Sequence, residues 1–251
     1  MSYSYQFDFS ANSDAMYDVE QRQRKAKTMI AVLQDYFEQP LEQFNLLNLG
    51  GSTGIIDEYL SRYFQQVTGV DIDEPAINYA QQTFKKDNLK FAVGDAMDLQ
   101  YESEQFNVVI CSQVYEHVPD AKQMMKEICR VLKPGGVCYF AAGNRLVWNE
   151  PHYRLPLLSV IPKCFAHWYL QLTKRGTYYY ENHRTLWGLN QLVSAFTRID
   201  YTKKIIDSPS KFGADYMLPE GSRKAKLASL IARYFYFMVP GYIWLLQKPT
   251  D

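Results

Sequence analysis

A nine-residue stretch, Leu46-Leu-Asn-Leu-Gly-Gly-Ser-Thr-Gly54, runs from apolar residues into a glycine turn, and a carboxylate, Asp71, ends the next apolar run, Val67-Thr-Gly-Val-Asp71. Glycine allows the backbone to turn tightly and lie against a ligand, and an acid at the end of the following strand is placed to hydrogen-bond ribose hydroxyls. The chemistry on offer is retention of a nucleoside-bearing cofactor. A dinucleotide site requires G-x-G-x-x-G, and Ser52 stands where the second glycine would admit a pyrophosphate. A phosphate-cradling P-loop lacks its Gly-Lys-Ser/Thr ending. A short-chain dehydrogenase loop needs a glycine where Ile56 stands, and no Tyr is followed by Lys four residues later. S-adenosylmethionine has no pyrophosphate, so a serine at this place is tolerable.

Proton-transfer chemistry points to the histidines. His117 follows the fourth predicted strand, where a base could reach a substrate, and is a candidate base. His152 and His183 fall in a later aromatic segment and are candidate bases too, whereas His167 has the neighbours of a packed helix. No His/Glu or His/Asp spacing suggests a metal site, so no metal is expected. Trp148, Trp168 and Tyr178–Tyr180 read as the core of a lid or as substrate-stacking groups. Asp73, just ahead of Glu74-Pro75, reads as a helix N-cap rather than a ligand.

These residues need a scaffold, and its elements are legible in order. Apolar positions at helical spacing over 15–39 (Ala26, Met29, Ile30, Leu33, Phe37) predict a helix ending at Pro40. Strands follow at Leu46–Leu49, Val67–Asp71, Leu89–Val93, Phe106–Cys111 and Val137–Ala142. Helices between them are read at Ile55–Phe64, from Glu74 to about Phe84, and from Pro119-Asp120 to a stop at Lys133-Pro-Gly-Gly136. Alternation of this kind builds a mostly parallel sheet covered on both faces, with its ligand over the carboxyl ends of the strands. After the fifth strand the rhythm breaks. About 40 residues rich in aromatics and prolines precede a helix at Leu186–Phe196; a segment that long in a compact domain is expected to be partly helical and functional, as lids are. A strand near Arg198–Asp207, a second insertion over 208–239 and a last strand near Tyr242–Gln247 complete the chain.

At 251 residues and 47% hydrophobic content the chain can bury a large single core. Cys111, Cys129, Cys138 and Cys164 form no C-x-x-C pair and read as buried free thiols of a reducing compartment. The start, Met-Ser-Tyr-Ser-Tyr-Gln-Phe-Asp, has no basic and apolar leader pattern, and the expected location is cytoplasmic. The uncharged run Tyr234–Gln247, 14 residues and broken by Pro240-Gly241, is too short to span a membrane. Zero net charge argues against nucleic-acid binding, but residues 1–150 carry −8 and residues 151–251 carry +8. The positive half reads either as scattered solvated lysines or as a basic surface beside the substrate entrance, which would favour an anionic or amphiphilic acceptor or peripheral contact with an anionic membrane.

Five stations in sequence now carry a resemblance: Leu47–Gly54, Gly69-Val-Asp-Ile-Asp73, Gly94-Asp-Ala-Met-Asp98, Phe106–Asp120 with its Tyr-Glu-His-Val-Pro, and Arg130-Val-Leu-Lys-Pro-Gly-Gly136. Over residues 24–142 the chain resembles the class I S-adenosylmethionine-dependent methyltransferases, in the group that includes the ubiquinone- and menaquinone-biosynthesis-like enzymes (methyltransferase type 11). The resemblance implies a Rossmann-like seven-stranded sheet, mostly parallel with an antiparallel last strand, helices on both faces, and insertions after strands five and six. It implies one methyltransferase domain over 1–251, with 145–185 as substrate lid and 208–239 as a second insertion. Gly50, Gly51, Ser52 and Gly54 would shape the cofactor loop, Asp71 and Ile72 would meet the ribose, Asp95 and Ala96 the adenine, and Ser112 and Gln113 the methionine portion. Asn48 replaces the usual acid and Ser52 the usual second glycine; restoring either, by Asn48→Asp or Ser52→Gly, is expected to leave binding intact or improve it. The expected activity is methyl transfer to a small-molecule acceptor, at oxygen of a glycan, lipid-linked intermediate or specialised metabolite. A C-methyltransferase acting on an isoprenoid or lipid, with Leu155–Pro162 dipping into a membrane surface, and a non-catalytic binding module are the alternatives.

Overall fold

The computed structural model describes residues 9–10 and 14–250; the N-terminal stretch read for a leader lies outside the described residues. Five parallel strands, β1 (Asn45–Leu49), β2 (Gln66–Asp71), β3 (Leu89–Val93), β4 (Phe106–Ser112) and β5 (Leu132–Gly143), join two later ones, β8 (Thr197–Asp200) and β9 (Gly241–Gln247). The order is β3-β2-β1-β4-β5-β9-β8, with β9 antiparallel to both of its neighbours. The mostly parallel sheet with an antiparallel last strand is the one expected. Successive strands are laid down outward on one side from β1 to β3 and on the other side from β4, and at the switch point between β1 and β4 a crevice opens outside the carboxyl ends of the strands.

Strand residues are apolar without alternation because both faces are covered. Leu46, Val108 and Ile110 meet Ala26, Met29 and Leu33 of α1 (Val19–Tyr36) and Tyr59 and Leu60 of α2 (Ile55–Leu60). Leu47, Val109 and Cys111, one residue out of phase, meet Met124 and Ile128 of α4 (Ala121–Val131) and Leu189 of α6 (Leu186–Leu192). Each such buried Leu or Ile contributes about 1.5–3 kcal/mol relative to exposure. Helix starts follow local chemistry: Asp18, Asp120 and Thr185 each accept a backbone N–H of the first turn. Asp73 does the same for α3 (Glu74–Thr83), so it is the N-cap its position suggests.

Several boundaries differ from expectation. α4 ends at Val131, just ahead of the expected stop at Lys133–Gly136, but β5 starts at once at Leu132 rather than at Val137, Gly135 taking φ +73°. The segment Thr202–Asp207, read as the continuation of a strand, is a helix, α7, because Tyr201 and Ile205 drop one helical turn apart into the core. Within 208–239 lies α8 (Arg223–Tyr234), capped by Ser222. Cys111 and Cys138 are buried, Cys129 is half-buried, and Cys164 is exposed, on α5 (Lys163–Leu172), so Cys129 and Cys164 are not the buried thiols expected.

Residues 145–185 hold a two-stranded hairpin, β6 (Asn149–Glu150) with β7 (Leu155–Pro156), then α5. They enclose a small core of Leu155, Leu158, Ala166, Leu170 and Tyr179. Leu155 and Leu158 therefore point inward, and the Leu155–Pro162 run does not offer a membrane-dipping face; the exposed apolar stripe is Phe165, Trp168 and Leu172 on α5. Both ends of the segment are tied to the sheet. Arg145 N donates to Arg184 O at 2.9 Å, Asn182 N to Glu116 O at 2.8 Å, and Tyr115 Oη bridges Gly143 O and Arg184 N at 2.6 and 3.0 Å.

Candidate active site

The glycine turn begins where β1 ends. Gly50 and Gly54 take φ +70° and +75°, left-handed values that a Cβ makes costly, and at either a Cβ would stand 2.7 Å from a neighbour: Val114 Cγ2 for Gly50, Ala80 Cβ and Phe91 Cε1 for Gly54. Gly50 N and Gly51 N both donate to Val70 O, at 2.9 and 3.2 Å, and Ser52, itself at φ +51°, donates its N–H to Asp71 Oδ2 at 2.7 Å. Asp71 Oδ1 accepts from Asp73 N at 3.0 Å. Asp71 thus holds the turn that faces it, and burial raises its pKa against those backbone bonds. Each of its oxygens keeps a further lone pair.

The acid missing at Asn48 is not missing from the site. Asp57, in the first turn of α2, lies under the loop with no exposed surface, and Asn48 Nδ2 donates to its Oδ1 at 3.0 Å. Burial pushes Asp57 up to about 7, partly offset by the Asn48 bond. Beside it is Arg22 of α1, buried at 8% exposure, whose charge acts on both Asp57 and Asp71. Arg22 Nε, Ser52 Oγ and Asp57 Oδ2 have no hydrogen-bond partner among the described residues. Sequence reading missed Arg22 and Asp57. An arginine on the apolar face of a helix and an acid one turn inside an otherwise buried helix were the available signals.

The remaining predicted residues line the same edge. Ile72 is half-buried just past Asp71, whose carbonyl accepts Gly94 N–H at 2.9 Å. Asp95 Oδ1 accepts Met97 N–H at 2.8 Å, which makes it a turn residue at least, and Ala96 packs on the core. Ser112 ends β4; Gln113, at φ +59°, donates its N–H to Ala141 O at 2.8 Å.

The three candidate histidines, 66 residues apart from first to last, meet at this edge. The ring centroids of His117 and His152 are 5.0 Å apart, those of His152 and His183 5.9 Å. Glu150, with no exposed surface, joins them: its Oε1 accepts from His152 Nδ1 at 2.6 Å and from His183 Nε2 at 3.3 Å, and its Oε2 from Tyr153 N at 2.8 Å. Burial alone would raise Glu150, but these bonds from His152 and His183 bring it down to about 2. His152 is raised, Glu150 outweighing its burial, whereas burial holds His117 down to about 3. Two more carboxylates complete the cluster, Glu116 at 0% exposure and Glu181 at 2%; burial pushes Glu116 up to about 7 and raises Glu181. His183 Nδ1 is buried, without a hydrogen-bond partner among the described residues, and lies where a Cβ on Gly143 would be 3.4 Å from both it and Gln113 Oε1. Glu116, Glu150 and Glu181 were missed from sequence, although Glu150-x-His152 and Glu116-His117 sit in plain view. A cleft of about 310 Å³ opens alongside, lined by Arg145, Lys163, Tyr179, Glu181, His183 and Arg184 among others. Arg145 is committed to structure, its guanidinium donating to Ser159 O and Val160 O at 3.0 and 3.3 Å.

The chain matches the model of a methyltransferase domain over residues 47–140, which holds every predicted cofactor residue. It is 28% identical over 149 residues to a ubiquinone biosynthesis O-methyltransferase of Coxiella burnetii, covering 58% of this chain and 60% of that protein. A protein of the same name from Psychrobacter arcticus is 30% identical over 170 residues, covering 65% and 63%. The match thus spans less than two thirds of either relative. Among solved structures, the PH0226 protein of Pyrococcus horikoshii superposes with a TM-score of 0.61 at 18% identity, over 96% of this chain and 98% of that one. An S-adenosylmethionine-dependent methyltransferase from Mesorhizobium loti gives 0.57 at 13%, over 88% and 98%, so both share the fold. With the strand order, the glycine turn and Asp71 in their places, residues 47–140 form a methyltransferase domain of the class I S-adenosylmethionine-dependent kind, on the sheet that fold requires.

Proposed function

We propose that the protein transfers a methyl group from S-adenosylmethionine to an oxygen of a small-molecule acceptor, with His183 as general base and residues 145–185 as the lid over that acceptor. The observation that carries this reading is His183: Glu150 takes the proton side of its ring at Nε2, leaving Nδ1 buried and unpartnered beside Gln113 at the mouth of the cofactor crevice. A carboxylate that fixes a histidine tautomer and a second nitrogen turned to the reacting centre form the arrangement that general-base catalysis requires. The O-methyltransferase names of the relatives support oxygen as the acceptor atom.

The residues present fit the cofactor. Gly50, Gly51 and Gly54 let the turn pack against Val114, Asp57 and Phe91, where a Cβ would clash, and so hold Ser52 at the crevice; Asp71 and Ile72 would meet the ribose, Asp95 and Ala96 the adenine, and Ser112 and Gln113 the methionine portion. Ser52 Oγ and the Arg22 guanidinium, buried with unpartnered atoms, suit the polar end of the methionine part. The bound cofactor supplies an electrophilic methyl on a sulfonium. The chain's own part is to align the acceptor, exclude water and accept its proton; alignment is worth an effective molarity of about 10⁵ M or more, and the base about 10²–10⁴-fold.

Lys163 and Arg184 at the cleft favour an acceptor with an anionic or amphiphilic part. Peripheral contact with a membrane carrying such an acceptor falls to the exposed Phe165–Trp168–Leu172 stripe. No helix among the described residues is long and apolar enough to cross a membrane, and four unbridged cysteines support a cytoplasmic location.

The test is incubation with labelled S-adenosylmethionine and hydroxylated metabolite and lipid extracts, with NMR of the labelled product. An O-methyl product and a His183→Ala variant that loses about 10²–10⁴ in kcat while binding S-adenosylhomocysteine normally are expected. A C-methyl product, or a His183→Ala variant of unchanged kcat, overturns the assignment.

A further inference from the structure

The carboxylates beside the histidines pose a problem that the proton-transfer role of His183 does not solve. Glu116 and Glu181 are buried, and three of their oxygens, Glu116 Oε1 and Oε2 and Glu181 Oε2, have no hydrogen-bond partner among the described residues. A buried carboxylate without donors is costly unless a cation or an ordered water completes it. His117, His152 and Glu181 each bring one ligand atom to within 4.8 Å of the others. In a four-coordinate site with bonds of about 2.0–2.2 Å the ligand atoms sit about 3.3–3.6 Å apart, so a contraction of about 1 Å closes the set. Glu150, His152 and His183 satisfy the same limit, but there Glu150 Oε1 already accepts from both rings.

We infer that His117, His152 and Glu181 form a site for a divalent transition-metal ion of the zinc class, with Glu150 orienting His152 from behind and an open position facing the acceptor cleft. Glu150 takes His152 Nδ1–H and so leaves Nε2 as the ligand atom, the carboxylate–histidine–metal arrangement that fixes a ring and strengthens it as a ligand. Two imidazoles and one carboxylate select zinc, cobalt or manganese over magnesium or calcium, which prefer oxygen donors throughout. Three protein ligands leave room for a fourth, and a metal-bound hydroxyl of the acceptor would lose its proton more readily to His183. The inference rests on the methyl-transfer reading only for what fills that fourth position. The acceptor it implies carries a hydroxyl free to bind a metal ion.

The ion itself is tested without acceptor or cofactor. Full-length protein is stripped with a chelator and titrated with Zn²⁺ against a chromophoric competitor, with Mg²⁺ as control, and with Co²⁺ for its visible ligand-field bands. One equivalent of Zn²⁺ at micromolar Kd or tighter is expected, with Co²⁺ bands of a four- or five-coordinate ion. His152→Asn and Glu181→Gln should weaken binding by about 100-fold or more, and Glu150→Gln by about 10–100-fold. S-adenosylhomocysteine affinity should not change in any of them. Exposed Cys164, with half-buried His167 one turn away on α5, is the place for adventitious zinc, so Cys164→Ser is run in parallel and should keep the ion. Substoichiometric Zn²⁺, or an ion that survives His152→Asn and Glu181→Gln but leaves with Cys164→Ser, overturns the site. If a variant does not fold, the Co²⁺ spectrum of the unaltered protein decides alone. Zinc binding without methyl transfer to any acceptor would sink the functional reading and leave the metal site standing.

Discussion

Replacing Asn48 by Asp would restore the residue usual at that position, and whatever it does for cofactor binding, the structure attaches a pH-dependent cost in stability to it. Asn48 Nδ2 donates to Asp57 Oδ1 at 3.0 Å inside a site with no exposed surface at Asp57, so Asn48→Asp sets carboxylate against carboxylate. With both ionised, repulsion at that separation is about 5 kcal/mol at an effective dielectric of about 20. The escape is to keep Asp57 protonated; with its pKa already raised to about 7 in the fold, that costs about 1.4 kcal/mol at pH 8 and almost nothing at pH 5, where it is protonated already. Thermal unfolding should therefore fall by about 3–6 °C at pH 8 and hardly at all at pH 5. Asp57 has a pH signature in the unaltered protein as well. Its pKa is raised from 3.8 to about 7, so the folded state binds the proton more tightly. Its contribution is fully present below pH 4 and is lost as pH rises through about 7, whereas Asp57→Asn removes that dependence. The double variant Asn48→Asp/Asp57→Asn restores one carboxylate and one amide and should recover to within about 1 kcal/mol of the original. Asn48→Asp equally stable at both pH values, or a swap no better than the single change, would refute the reasoning.

Asp71→Ala leaves the Ser52 and Asp73 N–H groups without acceptors, at about 1–3 kcal/mol each, and should abolish S-adenosylhomocysteine binding in calorimetry; Asp71→Asn, keeping one acceptor oxygen, should recover stability more than affinity. Gly50→Ala meets Val114 Cγ2 at 2.7 Å and a left-handed φ; adding Val114→Ala should relieve the clash but not the backbone strain, so affinity returns only in part. Charge reversal at Lys163 and Arg184 should raise the acceptor's KM and its salt sensitivity with cofactor affinity unchanged, while reversal at Arg145 should lower thermal stability, because its guanidinium holds Ser159 O and Val160 O. Limited proteolysis within 145–185 should slow when cofactor and acceptor are both bound; equal cutting rates would make the segment a fixed cover.

The sheet and the cofactor loop were legible in the sequence because their signals are local. Leu46–Leu49 and Phe106–Cys111 are apolar on both faces, Asp73 precedes a proline-started helix, and the Gly50–Gly54 turn needs φ values that few residues but glycine adopt readily. Such requirements act within a few residues and leave their mark on residue type. Asp57 and Arg22 carry no comparable mark, since each matters only through what α1 and α2 bring to the underside of the loop. The histidine cluster is the extreme case. His117, His152 and His183 have no spacing that announces a common site; Tyr115, pinned to Gly143 and Arg184, and Asn182, pinned to Glu116, fold the ends of the insertion back over the sheet and bring them together. Only that tertiary closure turns Glu150 from one more surface-coded acid into a buried carboxylate between two imidazoles, because hydrogen-bond partners drawn from 33 residues apart exist only once the chain has returned on itself.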